Sequence, residues 1–342
     1  MPQSTRRTSD VPIFHALPPE LMPRSRVSIE AAETQWRDLL GACSRVGARM
    51  SSAELAAKLS GVIADMQVAV SAADAPAACP AAGADDAALD SYFGIVRVQG
   101  DTPRIFLRSV LQANLIVLEE VNAGGSSLDE AELHKLDDAL AAVVSHVLAL
   151  PRDPPARVGS WNRAPARGSD PIRRWIRGHH VFVMLTQGLI LALQDVEDAL
   201  LADRTSEVAA ALDLATLLME GTAVAFKFTG DFAPTQYRDT VRPTMMPPLA
   251  PEGLSGVLSP DHRQLLQILG RLKPHLKELQ LCARDGYSRF VRAFRAAYDD
   301  HIHVCSRFVG SKEPSLLMKA GEEKSAVQQL EYFKRLRMKV FQ

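Results

Sequence analysis

Helix-start signals recur along this chain at intervals that suit helices and little else. Ser51 with Glu54, and Ser127 with Glu130, have the Ser-x-x-Glu spacing in which hydroxyl and carboxylate each satisfy a backbone N–H left open by the first helical turn. Asp170-Pro171 and Ser259-Pro260 pair a side-chain cap with a proline at the first helical position, where a missing N–H costs nothing. Each signal precedes a run in which apolar residues return every three or four positions. The expected helical runs are 28–50, 51–72, 89–122, 133–150, 170–202, 206–228, 259–283, 287–308 and 321–342. The third has a break near Val96-Arg97-Val98 and Gly100-Asp101-Thr102-Pro103. Strand signals are nearly absent, and the fold class this predicts is an all-α helical bundle.

Residues 1–27, rich in Pro, Ser and Arg, read as an N-terminal arm. Residues 28–160 read as an N-terminal helical region and 161–342 as the helical core that carries the chemistry, with a Pro- and Arg-rich boundary at 151–169. Residues 73–89 read as a Pro/Ala/Asp linker. A formal net charge of −1 gives no field that would gather nucleic acid or an anionic membrane. No uninterrupted apolar run approaches the roughly 20 residues of a membrane span. Cys43, Cys79, Cys282 and Cys305 have no regular spacing, so neither a disulfide framework nor a zinc ribbon is expected. Arg6-Arg7 lacks the apolar stretch that would make it an export signal. The setting expected from these features is reducing and cytoplasmic.

The chemistry concentrates in Asp299-Asp300-His301-Ile302-His303-Val304-Cys305. Positions four apart share one face of a helix, so His301 and Cys305 can meet the same flat ligand. A haem fits, with imidazole on iron and thiolate added across a vinyl group at the rim. One cysteine allows one thioether, unlike the two of C-x-x-C-H. A histidine and a cysteine at this spacing also arise as ordinary core residues. His303 lies about 200° round the helix from His301 and cannot share its face. Asp299 and Asp300 can orient an imidazole through Nδ1–H, or simply form a solvated face. His262 falls in the first turn of a helix, where the dipole disfavours imidazolium and leaves the neutral form that iron takes. His179-His180 sits mid-helix, and one of the two can enter a pocket as an acid or base. Arg242 after Tyr237 can hold a carboxylate with a two-pronged grip, or serve a salt bridge between helices.

Together, Tyr237-Arg238-x-x-Val241-Arg242-Pro243 after a helical half, with late iron-ligand histidines, resembles the tryptophan/indoleamine dioxygenase superfamily of haem proteins. Within it the pattern His262-x38-His301-x3-Cys305 resembles a group of tyrosine hydroxylases of antibiotic biosynthesis. These motifs span roughly residues 170–342. The resemblance implies a haem with one thioether to Cys305 and iron held by His301 and His262. It also implies hydrogen peroxide as oxidant and an aromatic amino acid, 3-methyl-L-tyrosine or L-tyrosine, as substrate. Arg242, with Tyr237, would hold the substrate carboxylate, and His180 or His179 would handle protons near the ring. Peroxide needs an open position on iron, and His262 is the ligand expected to leave. A homo-oligomer is the expected assembly. Two other readings stay open at this stage: a tryptophan- or indole-oxidising enzyme of the same superfamily, and a bis-histidine electron-transfer or sensor protein.

Overall fold

The computed structural model describes residues 12–22, 50–72, 84–148, 158–161, 170–250, 252–254, 259–310 and 324–341. Among them helices dominate: α1 Ser52–Ala72, α2 Ala84–Tyr92, α3 Thr102–Gly124, α4 Glu130–Val147 and α5 Pro171–Leu201. These are followed by α6 Thr205–Thr229, α7 Pro260–Leu272, α8 Leu276–Cys282, α9 Arg284–Val309 and α10 Ala326–Met338. Two short parallel strand pairs accompany the helices, β1 Phe14–Ala16 on β3 Ile95–Arg97 and β2 Met50–Ser51 on β4 Val158–Ser160. The fold is all-α. Of the expected helix at 28–50 only Met50 is described, and it lies in strand β2; residues 28–49, 73–83 and most of the 151–169 boundary lie outside the described residues. Residues 84–89, read from sequence as linker, instead form the first turns of α2.

The caps explain where most helices begin. The Asp170 carboxylate accepts from the N–H groups of Ile172 and Arg173, and the Ser259 hydroxyl accepts from His262 N–H at 3.2 Å. Ser51 and Glu54 cap each other as their spacing predicts. Ser127 departs from expectation. Its N–H and hydroxyl both go to the buried Asp231 carboxylate, and the reciprocal cap of α4 is made two residues later by Asp129 and Glu132. A tertiary partner has taken the hydroxyl that the local motif would use.

Helices α5 and α6 make the most extensive interface in the molecule. Around them α3 and α7 pack on α5, while α4 and α9 pack on α6. The central stretches of both helices are largely apolar, as befits helices packed on several sides. By length and composition each is also long enough to cross a membrane, which the uninterrupted-run criterion did not register. Inside the protein 89% of the apolar stretch of α5 and 72% of that of α6 is buried, so both serve as core. Gly178 lets them touch: a Cβ there would lie 2.7 Å from Thr229 Cα. One contiguous apolar cluster runs from Phe14 to Phe308.

Candidate active site

One cavity opens between α5, α6, α7, α9 and α10. His179, Tyr237, Arg242, His262, His301 and Cys305 all line it, set in an apolar wall that includes Phe93, Trp175, Phe182, Phe226 and Phe294. His179, His262, His301 and Cys305 lie deep in the molecule yet each keeps accessible surface, which is what groups facing an internal space do. Six residues spread over 127 positions of sequence, from 179 to 305, are thus brought to one place.

Helix α9 supplies His301 and Cys305 one turn apart, followed by Phe308, on the face turned to the cavity. The His301 ring stacks on Phe226, centroids 4.3 Å apart and planes 12° from parallel. Burial, with the charges of His179 and Arg337, lowers its pKa to about 4 and keeps the imidazole neutral. Burial pushes the Cys305 thiol up to about 12. That thiol is therefore held in its protonated form.

His262 enters from the first turn of α7. Its Nε2 is buried without a hydrogen-bond partner among the described residues. Burial, then the nearby Arg337 and His301, lowers its pKa to about 3. Its neighbour Asp261 is tied down hard: Arg97 Nη1 and Nη2 donate to its two oxygens at 3.1 and 2.7 Å, and Gln187 Nε2 donates at 2.7 Å. Arg97 in turn holds Asp90 through two bonds of 2.8 and 2.9 Å. Such paired, charge-assisted bonds fix geometry as well as charge, so the backbone carrying His262 has little freedom.

The pair at 179 and 180 divides as helix geometry requires. His179 faces the cavity. Its Nδ1 lies 2.7 Å from the Trp175 carbonyl, and a carbonyl only accepts, so Nδ1 carries the proton and Nε2 the lone pair. His180 does not reach the cavity. It is buried behind the wall, its Nε2 donating to the Phe93 carbonyl at 2.6 Å and its ring stacked on Phe14. The expectation that His180 handles protons beside a substrate is corrected: its polar edge is spent on a backbone carbonyl. Asp299 and Asp300 do not orient His301 either. They pair with Lys334 and Lys227, because both carboxylates lie on the outer side of α9 where lysines reach them.

Tyr237 and Arg242 are joined by a stretch of π-helix, Tyr237–Val241, closed by Arg242 N–H to the Tyr237 carbonyl. In an α-helix, residues five apart point about 140° away from each other. The wider π turn brings them toward one side, so both side chains line the cavity and interact with each other. Pro243 has no N–H to extend the ladder. The Tyr237 ring stacks on Phe308 at 4.4 Å and meets Trp175 edge-on. Sequence reasoning missed Trp175, Phe93 and Arg337, which carry no local motif.

The first 286 residues also carry a family signature. Residues 15–286 match the model of the SfmD 3-methyl-L-tyrosine peroxygenase family. The 3-methyl-L-tyrosine peroxygenase of Streptomyces lavendulae is 34% identical over 253 residues, 73% of this chain and 69% of that protein. The chain belongs to this family. A crystal structure of reduced SfmD, soaked with sodium hydrosulfite, superposes with a TM-score of 0.71 at 28% identity, covering 87% of this chain and 99% of the other. The match to the peroxygenase family takes in His179, Arg242 and His262 and ends before His301, Cys305 and Arg337.

Proposed function

We propose that this protein hydroxylates the ring of 3-methyl-L-tyrosine with hydrogen peroxide, giving 3-hydroxy-5-methyl-L-tyrosine, and that the cavity holds a haem. Membership of the peroxygenase family is the observation that carries this reading. The donor set supports the cofactor. Two neutral imidazoles, one of them with an orphaned buried Nε2, and a thiol face one apolar space. Among the described residues no three His, Cys, Asp or Glu come together to hold a bare metal ion. Two imidazoles suffice for iron already held by four porphyrin nitrogens.

His301 and His262 would hold the iron, and Cys305 would form the single thioether at the rim. When bound, the haem supplies the oxidation: one oxygen of peroxide enters the ring in place of hydrogen and the other leaves as water. The protein binds, aligns and excludes. Arg242 grips the amino-acid carboxylate, held in place by Tyr237. Trp175, Phe93 and Phe308 pack against an aromatic ring and keep bulk water out. His262, the ligand expected to give way, would leave a neutral imidazole beside the oxidant, whose Nε2 could accept a hydrogen bond from peroxide. His179 Nε2 offers a second acceptor, for the substrate phenol.

The test is turnover. Purified haem-loaded protein given 3-methyl-L-tyrosine and hydrogen peroxide should form the catechol, read by mass and by oxygen-18 transfer from labelled peroxide. Tryptophan and L-tyrosine serve as competitors. No catechol, or oxidation of tryptophan in preference, would remove the proposal.

A further inference from the structure

Among the described residues the buried arginines come with carboxylates, with one exception. Arg97 has Asp90 and Asp261, Arg177 has Glu119 and Glu120, and Arg174 lies 3.6 Å from Glu120. Arg337, on α10, is 8% exposed and faces the cavity. Its guanidinium lies over the rings of Phe333 at 4.9 Å and Tyr298 at 5.5 Å, and its Nη1 donates to the Tyr298 hydroxyl. These partners are neutral, and among the described residues no carboxylate pairs with Arg337. A buried charge with no counter-ion is costly, and proteins seldom keep one unless something supplies the opposite charge. In the same cavity Gln329 Oε1 and His262 Nε2 are also buried without partners among the described residues.

We propose that Arg337 is the anchor for a carboxylate buried in the cavity, and that this carboxylate belongs to the haem and not to the amino acid. The assignment rests on the haem reading above. One observation and the assignment of Arg242 proposed above favour the porphyrin as source. Arg337 lies among the groups that would hold iron, close enough for its charge to act on both His262 and His301. In the proposed reading the amino-acid carboxylate is assigned to Arg242, which sits with Tyr237 on the segment after α6. The planar guanidinium matches a carboxylate through two parallel N–H donors.

The test uses the full chain prepared without haem and titrated with haemin and with haemin dimethyl ester, whose carboxylates are masked. In R337Q the affinity for haemin should fall by about tenfold or more, the range of a lost charge-assisted bond. Affinity for the ester should be the same in R337Q and wild type, and R337K should recover part of the haemin affinity. Circular dichroism of each variant checks that it is folded. Unchanged haemin affinity in folded R337Q, or an equal loss for acid and ester, overturns the proposal. So does tight haemin binding by R337Q with weakened binding of 3-methyl-L-tyrosine, which would give the carboxylate to the substrate. If wild type binds neither haemin nor ester, the haem reading itself fails. Fluorescence titration with the amino acid and its decarboxylated amine then decides Arg337: preference for the acid, lost in R337Q, keeps the carboxylate site, and equal binding removes it.

Discussion

Phe226 and His301 stack face to face across α6 and α9, centroids 4.3 Å apart. The contact fixes the plane of an imidazole that carries no charge of its own. A ring held this way presents its nitrogen in one direction, which a metal ligand needs. Phe226→Leu keeps the wall apolar and removes the stack. Stability should drop by about 1 kcal/mol, the usual worth of an aromatic pair beyond its area. The haem-loaded variant should show mixed spin states in its electron paramagnetic resonance spectrum. A single wild-type-like species would mean that the stack does not position His301.

His262→Ala removes the imidazole with the orphaned Nε2. The haem-loaded protein should change from six-coordinate low-spin to five-coordinate high-spin, and added imidazole should restore the first spectrum. An unchanged absorption spectrum would take His262 off the iron.

Arg242→Leu removes the cation beside Tyr237 while leaving the π turn's backbone bond to Tyr237 intact. KM for the amino acid should rise about tenfold to a hundredfold, the range for a bond to a charged group. The decarboxylated amine should be indifferent to the change. A normal KM would put the carboxylate elsewhere.

His179 and His180 are both lowered to about 4 by burial. Unfolded, each titrates near 6.5. Between these values the unfolded chain binds more protons, so stability rises with pH and is lost as pH falls below 6.5 toward 4. For His180, fully enclosed, the loss amounts to roughly 3 kcal/mol at its limit. Melting of the haem-free chain should therefore move to lower temperature from pH 7 to pH 5, and His180→Gln should flatten that slope. An equally steep slope in the variant would place the titration elsewhere.

The parts of this molecule written in local sequence were legible. Asp170, Ser259 and Ser51 cap where their spacing says, because a cap is an interaction within one turn. Ser127 was misread because Asp231, 104 residues away, competes for its hydroxyl. The spacing from His262 to Cys305 named residues that the fold brings to one cavity, since each sits on a regular helical face. Arg337 escaped notice because a lone arginine on a polar-looking helix shows its burial only in three dimensions. The Arg97–Asp261 pair, which holds α7 beside the cavity, joins residues 164 apart and leaves no pattern in either segment. Which of two adjacent histidines faced inward depended on a carbonyl, that of Phe93, in a different element. The family match begins at residue 15, far upstream of the motifs near 170–342; the first half reaches the site through Phe93 and Arg97, which belong to no local motif.

The most direct measurement is the intact mass of the denatured, haem-loaded chain, compared with Cys305→Ala. Wild type should carry the added mass of one haem that acidic organic solvent does not extract, and the variant should release it completely. A wild-type chain at its bare polypeptide mass, with all haem in the organic layer, would contradict the account of His301 and Cys305 as a joint grip on one porphyrin.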